Sequence, residues 1–243
     1  MLFSCIKGEN LKLKHSFIWI AFFLLPLIPA FMGMNNYLNN LGILTNDWYS
    51  LWTQETLFYS NFFFAPMAAI YCAYLWRVEN FNHNRNSLMT MPVPVTCIFL
   101  GKLLSAFFVV ILTQFWVGVL FLITGKIAGL PGLPPLVILI WLMRGLLGAL
   151  AVTALQCVLS MLIRSFALPV GIAALGSITG LIAANTKVGY FYPYSLMIFG
   201  MNANKSDDVL GSTLTLFIVS SIFYTILFTV IGILILKKRD VKG

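Results

Sequence analysis

The chain has 243 residues, 60% of them hydrophobic and only 9% charged, with a mean hydropathy of +0.94. A soluble domain is nearer half apolar and about a quarter charged, so this composition excludes water as the solvent for most of the surface and points to lipid. The net charge of +8 would suggest nucleic acid in a soluble protein; here the positions of the charges give a different answer.

Residues 1–16, MLFSCIKGENLKLKHS, mix Leu, Phe and Ile with Lys7, Lys12 and Lys14. This is the pattern of an amphipathic helix on a membrane surface, its lysines reaching the headgroups. The next apolar run, Phe17 to about Tyr37, is long enough to span, and no A-x-A-like cleavage site follows it, which argues against a signal peptide. Pro26 and Pro29 predict a kink, which membrane helices tolerate. Residues 39–56 are largely polar but carry Trp48, Tyr49 and Trp52. Trp and Tyr favour the headgroup level, so this segment is expected to lie along a membrane surface.

A second span, Leu57 to Trp76, has no charge. Then RVENFNHNRNSLMTMPVPVT, Arg77 to Thr96, interrupts the oily pattern. Its asparagines alternate at Asn80, Asn82, Asn84 and Asn86. Asn side chains compete for backbone hydrogen bonds, which predicts a short, interrupted helix or a capped turn. Pro92 and Pro94 then hold the chain extended. A third span runs from about Leu103 to Thr124, entered through Gly101-Lys102, and GKIAGLPGLPP is a turn by its Gly and Pro content. The fourth apolar run, Leu136 to Ile163, exceeds one bilayer crossing, so it tilts or projects. The fifth is Phe166 to about Ala184, with Pro169 in its first turn. Residues 185–211 form a long polar-aromatic loop, and the sixth span runs from about Ser212 to Leu236. No repeat or linker divides the chain, so residues 1–243 read as one all-α polytopic membrane domain with six transmembrane helices.

The Lys/Arg distribution sets the orientation. With the N-terminus cytoplasmic, the inner segments hold Lys7, Lys12, Lys14, Arg77, Arg85, Lys102, Arg164, Lys237, Lys238, Arg239 and Lys242, eleven in all, against three outside, Lys126, Lys187 and Lys205. This positive-inside bias places both termini and Arg77–Thr96 in the cytoplasm and 185–211 outside. The charge faces the anionic inner leaflet, and no nucleic acid is needed to explain it.

The pattern gives little support to chemistry within the chain. No G-x-x-x-x-G-K-[ST] phosphate loop occurs; Gly101-Lys102 and Gly125-Lys126 are followed by Leu and Ile. His15 and His83 are far apart, and neither H-E-x-x-H nor G-x-S-x-G is present. The four cysteines are scattered without metal or disulfide spacing and read as small buried hydrophobes. Arg144 is the one ionisable residue expected at membrane depth, with no carboxylate in any span. It lies roughly 12 Å along the helix from Leu136. It either snorkels outward or pairs with a carbonyl, or else lines a substrate route or partner interface. Gly176-x-x-x-Gly180, continued by Ala184, and Gly145-x-x-x-Ala149 make faces that let helices approach closely, within one bundle or between subunits.

The Arg77–Thr96 stretch is far longer than a plain connector of about five residues. It shows apolar Leu88, Met89 and Met91 within a polar rim, the pattern of a docking surface; the alternative is a solvated loop. Here the residues resemble the permease subunits of ABC-2 type exporters, and most of all the small permeases of lantibiotic-immunity transporters. The resemblance covers the whole chain. It rests on the amphipathic start with KGENLKLKHS, the six-span layout, and the segment from Glu79 through LMTMPVPVTCIFLGKLL, in which Glu79, Pro92 and Lys102 match recurring positions. Where many relatives carry a basic residue after the proline, this chain has Val93-Pro94-Val95.

The resemblance implies an elbow helix over residues 1–16 and a coupling helix within Arg77–Met91, seated in a groove of a separate ATP-binding protein. Arg77, Glu79, Arg85, Leu88, Met89, Pro92 and Lys102 are its candidate coupling residues. It implies short helices in the fifth-to-sixth loop dipping into the outer leaflet. It also implies two ATP-binding subunits that hold ATP and Mg, a second permease identical or homologous to this one, no cofactor in this chain, and a place in the bacterial cytoplasmic membrane. The cargo would be a cationic amphipathic peptide removed from the membrane. The rivals are an ABC-2 exporter of another lipid-like or drug substrate, and a non-transporting membrane scaffold or sensor.

Overall fold

The computed structural model describes residues 1–80 and 92–238. Among the described residues all regular structure is helical, and six helices are long and apolar enough to cross a membrane. This is what a lipid solvent dictates, since a helix satisfies its own backbone polar groups.

A surface helix, α1 (Leu2–Leu13), is capped by Lys14 and followed by His15, whose φ of 61° turns the chain. The first span, Ile18–Asn39, is broken where the prolines predict. Helix α2 (Ile18–Leu24) stops before Pro26, and α3 (Leu27–Asn39) carries Pro29 in its first turn. The second span, Asp47–Arg77, comprises α4 (Asp47–Phe58), a π-helical turn (Tyr59–Phe63) and α5 (Phe64–Asn80). The third is α6 (Val95–Ile127), started by Pro94 in an extended conformation. The fourth, α7 (Leu136–Leu162), and fifth, α8 (Ala167–Ala184), agree with the expected bounds to within a residue. After α8 come a 3-10 turn (Gly189–Phe191) and the short helix α9 (Pro193–Gly200), before the sixth span, Gly211–Lys238, which contains α10 (Leu214–Lys238).

Six crossings return the chain to the end of the bundle where α1 lies, called here the proximal end. The distal end holds the turns after α3, α6 and α8. Residues 189–200 do not loop away from it. Helix α9 is sunk against α7 and α8, with Leu196, Met197 and Met201 fully buried.

Two expectations are corrected. Residues 47–56 do not lie along a membrane surface. They form the first turns of the second span, with Trp48 and Trp52 at 4% and 1% exposure. The indole N–H groups that would have sought headgroups donate instead to the Pro131 carbonyl (2.8 Å) and the Met201 carbonyl (3.0 Å). Trp52 also packs edge-on against Phe121 at 5.1 Å. As a result the second span does hold a carboxylate: Glu55 is buried and accepts a hydrogen bond from the Thr124 hydroxyl. Other polar groups pair across the helices in the same way. Tyr59 donates to Gln114 (3.0 Å), and Gln156 donates to Tyr194 (2.7 Å).

Small residues set how closely the helices meet. A Cβ on Gly148 would sit 2.5 Å from the Leu196 carbonyl oxygen, whereas one on Gly171 would meet nothing within 4 Å. Gly148→Ala is therefore expected to destabilise the fold by about 1–3 kcal/mol, read as a lower thermal midpoint in detergent. Gly171→Ala is expected to leave the midpoint unchanged or slightly higher, because Ala suits a helix better than Gly.

Candidate functional site

At the proximal end α1 lies against the first turns of α6. The bare backbone of Gly101 permits this, since a Cβ there would approach the Cys5 Cβ to 3.0 Å. One residue on, Lys102 points inward and is wholly buried. An ammonium in such a place needs both hydrogen-bond acceptors and countercharge, and the fold supplies both. Its Nζ donates to Glu9 Oε1 and Oε2 on α1 (both 3.0 Å), to the Leu75 carbonyl on α5 (3.0 Å) and to Glu79 Oε1 (3.2 Å). It also sits 5.0 Å from the centre of the Trp76 ring, a cation–π contact.

Lys12, one turn along α1 from Glu9, completes the cluster. It donates to Glu9 Oε1 (2.8 Å) and forms a short ion pair with Glu79. Two carboxylates and two ammonium groups thus join α1, α5 and α6 with no net charge. Burial alone would raise the Glu79 carboxyl, but Lys102 and Lys12 more than offset that and hold it below the usual carboxylate range. Burial likewise works against the Lys12 ammonium, and hydrogen bonds to Glu79 and Glu9 outweigh it and raise its value.

Of the residues expected to couple to a partner, Glu79 and Lys102 are interior members of this cluster rather than parts of an open surface; their exposures are 5% and 0%. Arg77 is exposed, with its guanidinium carbon 5.7 Å from the Phe166 ring centre in the tight turn between the fourth and fifth spans. Pro92 is exposed. Arg85, Leu88 and Met89 lie outside the described residues. Sequence reading missed Glu9, Lys12 and Trp76. The one available signal was the i, i+3 spacing of Glu9 and Lys12, which marks a helix pair but not its partner.

The distal residues form a separate group. Arg144 makes a two-pronged ion pair with Asp208, at 2.9 and 2.7 Å, and holds that carboxyl below its usual range. The expected snorkelling ends on this carboxylate rather than on a carbonyl. The small-residue faces meet the sunken segment after α8. Gly176 and Gly180 receive the Tyr194 side chain, Gly145 receives Met201, Ala149 is fully buried, and Ala184 packs at the edge of the core.

Among the described residues no cluster of three or more His, Cys, Asp or Glu side chains could hold a metal ion. The proximal cluster joins three helices through charge. Its charges are mutually satisfied, and moving any one of the three helices alone would strip a buried charge of its partner.

Compared with known proteins, residues 5–180 match a family model described as ABC-2 family transporter protein. No curated protein matches the chain.

Lys102→Met leaves two buried carboxylates facing one lysine and is expected to cost about 3–5 kcal/mol, measured by unfolding in detergent. The Glu79 contribution is fully present above its unfolded-state value of about 4.3 and is lost as pH falls through the lower folded value. The Lys12 contribution is fully present below about 10.4 and is lost as pH rises through the higher folded value. The gap in thermal midpoint between wild type and Glu79→Gln should therefore close on acidification below about pH 4 and stay open at neutral pH.

Proposed function

Because the chain belongs to the ABC-2 transporter family, a family of membrane components of ABC transporters, we propose that it is the permease subunit of an ATP-driven exporter. In this reading the proximal end is cytoplasmic, in the bacterial cell membrane, and two ATP-binding subunits dock there, supplying ATP and Mg. A second permease, identical or homologous, completes the membrane part. The cargo is a lantibiotic-type antimicrobial peptide taken out of the membrane. The sequence resemblance to immunity permeases supports that choice, and another lipid-like or drug substrate is the competing one.

One observation carries the reading. The Glu9–Lys12–Glu79–Lys102 cluster lies directly beside the segment that follows Arg77. A push delivered to residues 77–96 by a closing ATPase pair reaches Glu79 within two residues. From there it passes through Lys102 into the third span and through Glu9 and Lys12 into α1. Glu79 and Lys102 then act as positioning residues behind the docking surface, while Arg77, Arg85, Leu88, Met89 and Pro92 belong to that surface.

The test is a pull-down of the detergent-solubilised protein from its own cells. An ATP-binding protein is expected to co-purify with the wild type and to be lost from the Arg77→Glu, Arg85→Glu double variant. If no ATP-binding protein accompanies the intact chain, the segment serves another partner and the scaffold reading replaces the exporter. Loss of peptide resistance in cells lacking the protein separates peptide cargo from other cargo.

A further inference from the structure

Helices α6 and α7 pack together in the distal half, and a groove of about 440 Å³ opens between them. Its narrowest point is at Gly118, where a Cβ would lie 3.2 Å from Leu142 Cδ1. Buried Phe121 and Ile138 form the floor, and exposed Phe115, Leu122, Leu139 and Met143 stand along the open side. Gln114 also borders the groove, but its amide is engaged by the Tyr59 hydroxyl, the Leu142 carbonyl and the Met201 sulfur. The surface on offer is therefore apolar.

The dimensions of the groove define its occupant. On α6 it runs from Ile111 to Leu122, and on α7 from Pro135 to Leu146. Each stretch covers roughly 16 Å of helix rise, about half the ~30 Å hydrocarbon core of a bilayer. The groove thus matches one leaflet. Spread over that length, its volume gives a mean cross-section of roughly 28 Å². A helix with its side chains is about 10 Å across, or about 80 Å² in section, and does not fit. A single file of methylenes does, since carbons in contact lie only about 4 Å apart.

A charge stands at the distal mouth. Lys126, one turn beyond Leu122 on α6, is exposed and donates to the Leu130 and Gly132 carbonyls in the turn that leads to Pro134. It also sits 5.6 Å from the centre of the Trp48 ring. Two of its three N–H groups are engaged in this way, and among the described residues no carboxylate pairs with it. A phospholipid supplies both complements: a phosphate at headgroup level, and a chain that runs from it toward the bilayer centre. We propose that the groove is a binding site for one acyl chain of an anionic phospholipid in the distal leaflet, with Lys126 meeting the phosphate. The site goes beyond the exporter reading and depends on neither its cargo nor its ATPase.

The experiment uses the purified full chain in phosphatidylcholine nanodiscs. Two trace probes carry the same diazirine midway along one acyl chain, one on a phosphatidylglycerol headgroup and one on phosphatidylcholine. After photolysis the labelled residues are mapped. The phosphatidylglycerol probe is expected to label residues 111–122 and 135–146 at least about fourfold more than the exposed Val219, Phe223 and Ile226 of α10, the effect of a single extra buried methylene. It is expected to label the groove about fivefold more than the phosphatidylcholine probe does, the advantage of one basic side chain toward a net anionic headgroup. Lys126→Gln, at an exposed position, is expected to bring the two probes level in the groove. Val119→Trp, which fills the groove from α6, is expected to lower groove labelling by both probes to the α10 level. Groove labelling no stronger than that of α10, no preference for phosphatidylglycerol, or a preference that survives Lys126→Gln overturns the proposal. So does groove labelling that withstands Val119→Trp; should that variant fail to fold, the Lys126→Gln comparison decides alone.

Discussion

A lysine ammonium removed entirely from water is the constraint on which the proximal half of this protein depends. Desolvating such an ion costs several kcal/mol, so the helices around Lys102 must remain where their oxygens satisfy it. Its three N–H groups find Glu9, Leu75 and Glu79, and the Trp76 ring covers the remaining side. Helix α1 is then more than an amphipathic segment resting on lipid. It is fastened by charge to the bases of the second and third spans, and it carries Lys12 to neutralise what Lys102 leaves over.

The distal half solves a different problem. There the chain turns back into the bundle, and the backbone of a short helix must be accommodated next to α7 and α8. Close approach does this: Gly145, Gly148, Gly176 and Gly180 clear the space that Met201, Leu196 and Tyr194 fill. The Arg144–Asp208 pair ties the exit of that segment to the fourth span. Aromatic side chains, among them Trp52, Phe121 and Trp141, pack together near this end.

Much of this architecture was legible in the sequence, for physical reasons that also mark the limits. Hydropathy located all six spans because lipid imposes length and polarity directly, and Pro26 marked a break because proline restricts its own φ and lacks an N–H; the third helix, expected from about Leu103, starts earlier, at Val95. Residues 47–56 were misplaced because Trp48 and Trp52 have the composition of an interfacial belt, and their acceptors, Pro131 and Met201, lie 83 and 149 residues away. Lys102 could be read as a helix-entry lysine, but not as a buried one, since Glu9 is 93 residues distant. The spacing of Gly176 and Gly180 announced a close contact without naming what fills it, and the answer, Tyr194, comes from the same chain. The π-helical turn at Asn61 has no hydrophobic signature.

The most direct test is a double-mutant cycle between Glu9 and Lys102, using Glu9→Gln, Lys102→Met and the pair, with unfolding followed in detergent at neutral pH. If the cluster fastens α1 to the third span, the two substitutions are strongly non-additive, with a coupling of about 2 kcal/mol or more. Additive effects, with coupling below about 0.5 kcal/mol, would mean that helix α1 is held by its apolar face alone and that the charges do not fasten it to the third span.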